Sequence, residues 1–362
     1  MNLTTDVSGL ELSNPLMPGS GPLTGDDERM IYLASLGLGA LVTKTIAPEA
    51  ALVGRACIVG GRDIIMNSEA WSEYPASTWI HEYLPKTVAS VDTPIFASIG
   101  YTKEDMETLI PALEPYAAAY EVIPRYVGKD LVSVGQIVAM ARSLTQKPIY
   151  VKMNANLPDP VGFARVCQEN GAQGVVAITS LGPNMVVDLK NRRPLIGTPD
   201  GFVWSSGPPI KPLALATVHM IKKALPDLSI IGCGGVASAD DVLEFLLVGA
   251  DAVQMLSTAM LRGKEMYRKI IADLPDALVR YGFSSIEEVK ATSLGATRVN
   301  MEPSFPQIDH DVCNQCNICV KNCPYFAMSW VDGKVHVDES RCFGCGLCES
   351  RCPVHCIQGV LD

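Results

Sequence analysis

Residues 313–356 constrain this chain more than any other stretch. Cys313, Cys316, Cys319 and Cys323 stand in the spacing C-x2-C-x2-C-x3-C, and Pro324 follows at once. The same spacing returns 29 residues later at Cys342, Cys345, Cys348 and Cys352, followed by Pro353. Nine of the twelve cysteines fall in this short tail. A tight C-x2-C-x2-C turn brings three thiolates onto one compact inorganic core, and the prolines stop helix propagation where the chain turns away. Structural zinc prefers paired C-x2-C units, often with histidine. A disulfide framework belongs to short secreted domains. Two [4Fe–4S] clusters fit the pattern better than either.

A pair of such runs is the signature of a bacterial ferredoxin-type domain, in which the fourth cysteine of each run serves the other cluster. One cluster is therefore expected on Cys313, Cys316, Cys319 and Cys352, the other on Cys342, Cys345, Cys348 and Cys323. Cys356 lies outside the pattern and reads as a packed residue. Clusters of this kind carry electrons singly, so the rest of the chain must contain something that uses them.

The chain has 362 residues, 48% of them apolar, enough for a large core. Its net charge of −10 argues against nucleic acid as a partner, since phosphate binding wants a basic face. The opening stretch, MNLTTDVSGL, has neither a charged n-region nor an apolar h-region, and no apolar run approaches a membrane span. With the cysteine usage, this gives the expectation of a soluble cytoplasmic protein with no signal peptide in a reducing compartment.

Residues 2–13 alternate weakly and predict a short hairpin. Eight short apolar strands then recur at 15–18, 40–45, 94–99, 119–123, 149–153, 174–179, 229–235 and 252–256. Helical patterns lie between them, including 26–36, 103–113, 129–144, 161–170, 210–225 and 238–247. Ser238 followed by Asp240 and Asp241 reads as a helix N-terminus. Continuous apolar strands imply burial on both faces, as in a parallel sheet. Eight β/α units predict a (β/α)8 TIM barrel. An open doubly wound sheet is the alternative, but no G-x-G-x-x-G follows the first strand. The connection between the second and third strands is long and irregular. The expected division is a barrel over 1–302 and an α+β ferredoxin-like iron–sulfur domain over 303–362, with E-P-S-F-P at 302–306 as linker.

Barrel active sites sit at the C-terminal ends of the strands. Here those ends are rich in small and hydroxyl residues: P-G-S-G at 18–21, T-K-T at 43–45, K-M-N at 152–154, T-S-L-G at 179–182, G-C-G-G at 232–235 and Ser257-Thr258. Glycines after strand seven and hydroxyls after strand eight are where barrels commonly bind phosphate, because backbone N–H groups can approach an anion there. S-G-P-P-I-K-P at 206–212 opens a helix and adds donors.

These residues resemble the dihydroorotate dehydrogenase family of FMN flavoproteins. N-P-L-M-P-G-S-G, V-T-K-T, Y-V-K-M, S-G-P-P-I-K-P, I-I-G-C-G-G-V and V-Q-M-L-S-T-A carry the likeness over about residues 3–295. Barrel and tail together are similar to the barrel-plus-ferredoxin part of dihydropyrimidine dehydrogenases. The resemblance implies FMN contacts at Gly19, Ser20, Lys44, Thr45, Lys152, Ser180, Gly207, Gly234, Gly235, Ser257 and Thr258. Lys152 would lie by the electron-rich edge of the flavin. Asn67 and Glu69 would face the substrate, with ordinary loop polarity as the alternative for Glu69. A dimer is what the resemblance suggests.

The fourth strand end departs from that family. Where relatives read N-x-S-C-P-N, with asparagines for the substrate and a cysteine or serine for its proton, residues 123–126 read I-P-R-Y. Thr179 stands where an asparagine is expected. Tyr126 is then the candidate proton donor and Arg125 the candidate clamp for a carboxylate, against the alternative that both simply pack at the rim. The aromatic stretch 71–83 is either a lid over a ring substrate or loop packing. Together these features predict an oxidoreductase acting on CH–CH groups. Electrons would pass between two clusters and FMN, and hydride would pass to an activated C=C bond of a small cyclic, aromatic or carboxylated substrate. Two alternatives stand beside it. One is a dihydropyrimidine or dihydroorotate dehydrogenase with an altered loop; the other is a non-catalytic electron-transfer subunit. A ferredoxin or an NAD(P)H-oxidising flavoprotein subunit is the expected electron partner, in a homodimer or hetero-oligomer.

Overall fold

A computed structural model describes residues 1–124, 130–297 and 301–361. The chain divides into two compact units, Met1–Leu294 and Gly295–Asp362.

The larger unit is a barrel of eight parallel strands: Leu16–Pro18, Leu41–Val42, Ile95–Tyr101, Ala119–Pro124, Ile149–Lys152, Gly174–Ala177, Ser229–Cys233 and Ala252–Met255. In that order they are barrel strands one to eight. Hydrogen-bonded ladders join strand two to three and onward in sequence to eight, and strand eight to one. Between strands one and two there is no ladder. One bond spans that seam, from the Gly39 N–H to the Leu16 carbonyl at 3.0 Å. All eight strands coincide with the apolar runs of the sequence, and the hairpin Thr5–Val7 with Leu10–Leu12 forms as expected. Ser238 caps the helix Ala239–Leu247 by accepting from the Asp241 N–H. Thr102 and Asp105 form a capping box at the helix Lys103–Leu113.

Side chains on a strand alternate faces, so every second residue points into the barrel. One inward layer is apolar: Met17, Val42, Phe96, Ala119, Tyr150, Val176, Ile231 and Ala252, one from each strand, closed below by Val7 and Leu12 of the hairpin. Two residues further along come Gly19, Lys44, Ser98, Glu121, Lys152, Ile178, Cys233 and Gln254. This second layer is polar and charged, and it forms the floor beneath the C-terminal rim. The outward faces pack against the helices in a single large core.

The long connections after strands two and six pair with each other. Ile58–Gly60, Ile65–Asn67, Val203–Ser206 and Leu181–Asn184 form a four-stranded antiparallel sheet. It fixes Asn67 opposite Trp204, and Ser206 opposite Ile65.

The smaller unit carries the 29-residue repeat into its backbone. Positive φ recurs at Gln315 and Gly344, at Asn317 and Gly346, and at Phe326 and His355. The short helices Ile318–Asn322 and Leu347–Ser350 each follow one of these left-handed residues. The Asp309 N–H bonds the Cys356 carbonyl, as the Asp338 N–H bonds that of Ala327. Cys356 therefore occupies the place that Ala327 holds in the first half, and both are buried.

The barrel seam gives a stability test. A Cβ on Gly39 would overlap the Asn14 carbonyl oxygen. Gly39→Ala is expected to cost about 3 kcal/mol, because backbone cannot move aside as a flexible side chain can. Denaturant unfolding followed by circular dichroism measures it.

Candidate functional site

A cavity of about 900 Å³, counting its open mouth, lies at the C-terminal ends of the barrel strands. Gly19, Ser20, Lys44, Thr45, Lys152, Ser180, Gly234, Gly235, Ser257 and Thr258 all line it, as do Asn67 and Glu69. Gly207 does not; its neighbours Ser206 and Ile210 do. A different constraint selects glycine there. Gly207 has φ 117°, and a Cβ would come within 2.6 Å of the Asp63 carbonyl oxygen. Arg125 and Tyr126 lie outside the described residues.

Gly234 and Gly235 take φ 123° and 84°, values that side chains rarely tolerate, and a Cβ on Gly235 would come within 2.8 Å of the Lys211 backbone nitrogen. Ser257 and Thr258 begin the next turn of chain. The Ser257 hydroxyl donates to Ser206 Oγ at 2.6 Å, and that of Thr258 to the Val236 carbonyl at 2.5 Å. Bare backbone and hydroxyls on one side, with buried lysines on the other, form a donor set that fits FMN: anion-binding groups for its phosphate and positive charge for its ring.

Both lysines are held by acidic partners, part-exposed for Lys44 and fully buried for Lys152. Lys44, 2% exposed, reaches Glu73 at 2.6 Å and Glu69 at 3.3 Å. Burial would raise the pKa of Glu73, but the hydrogen bond from Lys44 holds it below the ordinary glutamate value. Asn67 donates to the Trp204 carbonyl at 3.4 Å and accepts from the Glu69 N–H at 3.3 Å, so its amide shapes the loop. Lys152 reaches Gln254 Oε1 at 2.5 Å, Glu121 at 3.4 Å and Cys233 Sγ at 3.8 Å. Burial alone would lower its pKa. The Cys233 sulfur and the Glu121 carboxylate raise it above the ordinary lysine value. Burial pushes the Cys233 thiol up, against the lowering effect of Lys152.

Sequence reasoning missed Glu121, Ser98 and Gln254. The signal was present: an acid within the apolar run A-Y-E-V-I-P of the fourth strand. The aromatic stretch 71–83 packs mainly on itself. Trp79 is fully buried with its N–H on Ser72, and the rings of Tyr74 and Trp79 each meet Tyr83 edge-on. None of these aromatics lines the cavity.

In the smaller unit, Cys313, Cys316, Cys319 and Cys352 line one cavity. Cys323, Cys342, Cys345 and Cys348 line another. Each set joins three cysteines of one run with the fourth of the other. Among the described residues, no three histidine, cysteine or acidic side chains converge on a point that would hold one ion. Sulfurs arrayed around a cavity suit a larger inorganic core. Cys356 also borders the first cavity, with Sγ 3.4 Å from that of Cys352. Burial and that sulfur contact push the Cys356 thiol up to about 12. Burial would raise Cys352 as well, but N–H groups of Val354 and Cys356 bond its sulfur and bring it below the ordinary value.

Residues 2–278 match the family model described as dihydroorotate dehydrogenase, and residues 305–353 the model described as 4Fe-4S dicluster domain. The chain is 30% identical over 300 residues to a protein of Listeria monocytogenes serotype 4a (strain HCC23), named dihydroorotate dehydrogenase B (NAD(+)), catalytic subunit. That alignment covers 80% of this chain and 97% of the relative. Proteins of the same name from Oceanobacillus iheyensis and Geotalea daltonii are each 32% identical, over 301 and 314 residues. These cover 80% and 82% of this chain, and 97% and 99% of the relatives. Among the described residues no helix is long and apolar enough to cross a membrane.

The two cysteine sets generate a test. Cys352→Ser is expected to lose about half of the iron, since it serves one cavity of two. Cys356→Ala should keep all of it. Iron and acid-labile sulfide assays on anaerobically purified protein decide both.

Proposed function

This chain belongs to the dihydroorotate dehydrogenase family and is an FMN- and iron–sulfur-dependent oxidoreductase acting on CH–CH groups; from that premise we propose how it works. The two cysteine-lined cavities would each hold a [4Fe–4S] cluster through four cysteines, and the clusters would supply single-electron exchange with FMN bound in the barrel. The observation that carries this reading is the rim cavity itself, with ten of the eleven expected FMN contacts on its wall.

FMN bound there supplies hydride exchange with a C–C bond and converts between one-electron and two-electron traffic. The chain's residues do the rest. Lys152, held by Glu121 and Gln254, places a buried positive charge at the cavity floor, where it favours negative charge above it. Gly234, Gly235, Ser257 and Thr258 hold the phosphate. Lys44 is fixed by Glu69 and Glu73 and faces the same space. Asn67 and Glu69 border the substrate, Arg125 binds its carboxylate, and Tyr126 moves its proton.

The substrate is an unsaturated ring or carboxylated compound other than a pyrimidine. Residues 123–126 and Thr179 lack the paired amide side chains and the cysteine or serine that a pyrimidine ring would use. The names of the relatives favour a second reading, dihydroorotate itself, with other residues in the roles of the missing ones. Because those relatives are named catalytic subunits, the electron partner is a separate protein: a ferredoxin or an NAD(P)H-oxidising flavoprotein subunit. The assembly is a homodimer or hetero-oligomer and works in the cytoplasm.

Anaerobic protein should contain FMN and about eight iron atoms per chain. After reduction, its flavin should stay reduced on mixing with uracil, thymine or orotate, as followed by flavin absorbance. Reoxidation by orotate would assign the chain the substrate of its named relatives. Protein loaded with iron but lacking FMN would overturn the mechanism.

A further inference from the structure

Beneath the cavity, hydrogen bonds run from its wall into the barrel. Ser20 Oγ lies 3.2 Å from Thr45 Oγ1, and Thr45 Oγ1 lies 3.2 Å from Ser98 Oγ. The Ser98 hydroxyl donates to Glu121 Oε1 at 3.1 Å. The other carboxyl oxygen of Glu121 accepts from Gln254 Nε2 at 2.7 Å and from Lys152 at 3.4 Å. Ser98 and Glu121 have no solvent exposure and Thr45 has 6%; Ser20 is on the cavity wall.

Each hydroxyl has one proton, which fixes the direction of the chain. Ser98 spends its proton on Glu121, so Thr45 must donate to Ser98, and Ser20 to Thr45. All three point inward, toward the carboxylate. The string is continuous, nearly dry and polarised by a charge at its inner end, the arrangement in which hydrogen bonds reinforce one another. A buried acid needs only one cation and its hydrogen bonds for stability, and Lys152 with Gln254 supplies these. The hydroxyls on the other oxygen are surplus to that need and lead to the cavity.

We propose that Ser20, Thr45 and Ser98 form a proton path from the cavity to Glu121, which stores the proton taken up when the cavity gains negative charge. A proton arriving at Ser20 Oγ forms an O–H bond there while the Ser20 proton passes to Thr45. The Thr45 proton passes to Ser98, and the Ser98 proton to Glu121 Oε1. Each hydroxyl breaks one O–H bond and forms one. The carboxylate gains one, and the donor in the cavity loses one. The reversed chain then points outward, and Ser20 presents a proton to the cavity for return.

Electrostatics supplies the driving force. The ionisable groups facing Glu121 are Lys152 from strand five and Cys233 from strand seven. Ser98 from strand three and Gln254 from strand eight are neutral. Lys152 is the cation shared between Glu121 and the cavity. Negative charge in the cavity and negative charge on Glu121 repel, and one lysine neutralises only one of them. Electron arrival therefore draws a proton onto Glu121. By linkage, protonated Glu121 frees Lys152 to favour the reduced state. Glu121 is a positioning residue here, acting through Lys152 and the hydroxyls.

This inference rests on the reading of the cavity as a flavin site. Its test starts from purified protein whose flavin is counted first. Wild type is compared with Glu121→Gln, which keeps the size and most hydrogen bonds, and with Ser98→Ala and Ser98→Thr, which leave the Lys152–Glu121 pair in place. Reduced-minus-oxidised infrared spectra of wild type should show a protonated carboxyl band that is missing in Glu121→Gln. Proton uptake per flavin reduced should fall by roughly one in Glu121→Gln, flattening the pH dependence of the flavin potential. Ser98→Ala should slow that uptake by at least about tenfold, and Ser98→Thr should restore it. Flavin present with wild-type uptake and the carboxyl band unchanged in both Glu121→Gln and Ser98→Ala overturns the path while the flavin site stands. Absence of flavin overturns both.

Discussion

The contact between Lys152 and Glu121, buried in the floor of the barrel, is the constraint on which the site depends. Removing two charges from water costs several kcal/mol per ion unless geometry and hydrogen bonds offset it. Gln254 offsets it on both sides, accepting from the lysine and donating to the carboxylate. Ser98 satisfies the remaining carboxyl oxygen. Four strands thus converge on one small network, and removing either ion would strand the other. The apolar layer beneath, with Phe96 and Tyr150 in contact, keeps water from below. Strand alternation alone separates a dry base from a charged floor within a spacing of two residues.

Above that floor, backbone proximity sets the shape. Gly235 lies against the Lys211 backbone, where a Cβ would not fit. Gly39 and Gly207 lie where another stretch of backbone leaves no room for a side chain. The antiparallel sheet formed by the excursions after strands two and six braces one wall and fixes Asn67 and Ser206. In the smaller unit the same economy appears as duplication. A 29-residue segment is used twice, with left-handed residues at matching positions, so that three cysteines from one copy meet the fourth from the other.

Much of this was legible in the sequence, and the reasons are physical. Barrel strands buried on both faces must be continuously apolar, so all eight stood out. Ser238 announced its helix because a cap is a local hydrogen bond. The cysteine sets were readable because cluster chemistry is encoded in spacing, and Cys356 read as packed because it broke that spacing. The rest depends on register between distant segments. Glu121 became intelligible only when strands three, five and eight brought Ser98, Lys152 and Gln254 around it. The four-stranded sheet is built from pieces of three or four residues whose partners lie more than a hundred positions away in part, so no local pattern marks them. Gly207 resembled a ligand contact, yet its glycine answers to Asp63.

The central claim is that barrel and iron–sulfur unit form one electron path within a single chain. The direct measurement is rapid one-electron reduction of anaerobic holoprotein by pulse radiolysis, with cluster and flavin absorbance followed at several protein concentrations. The expected result is early reduction of iron–sulfur centres, followed by flavin reduction at a first-order rate independent of protein concentration. A flavin that stays oxidised while the clusters are reduced, or a rate that rises in proportion to protein concentration, would contradict it.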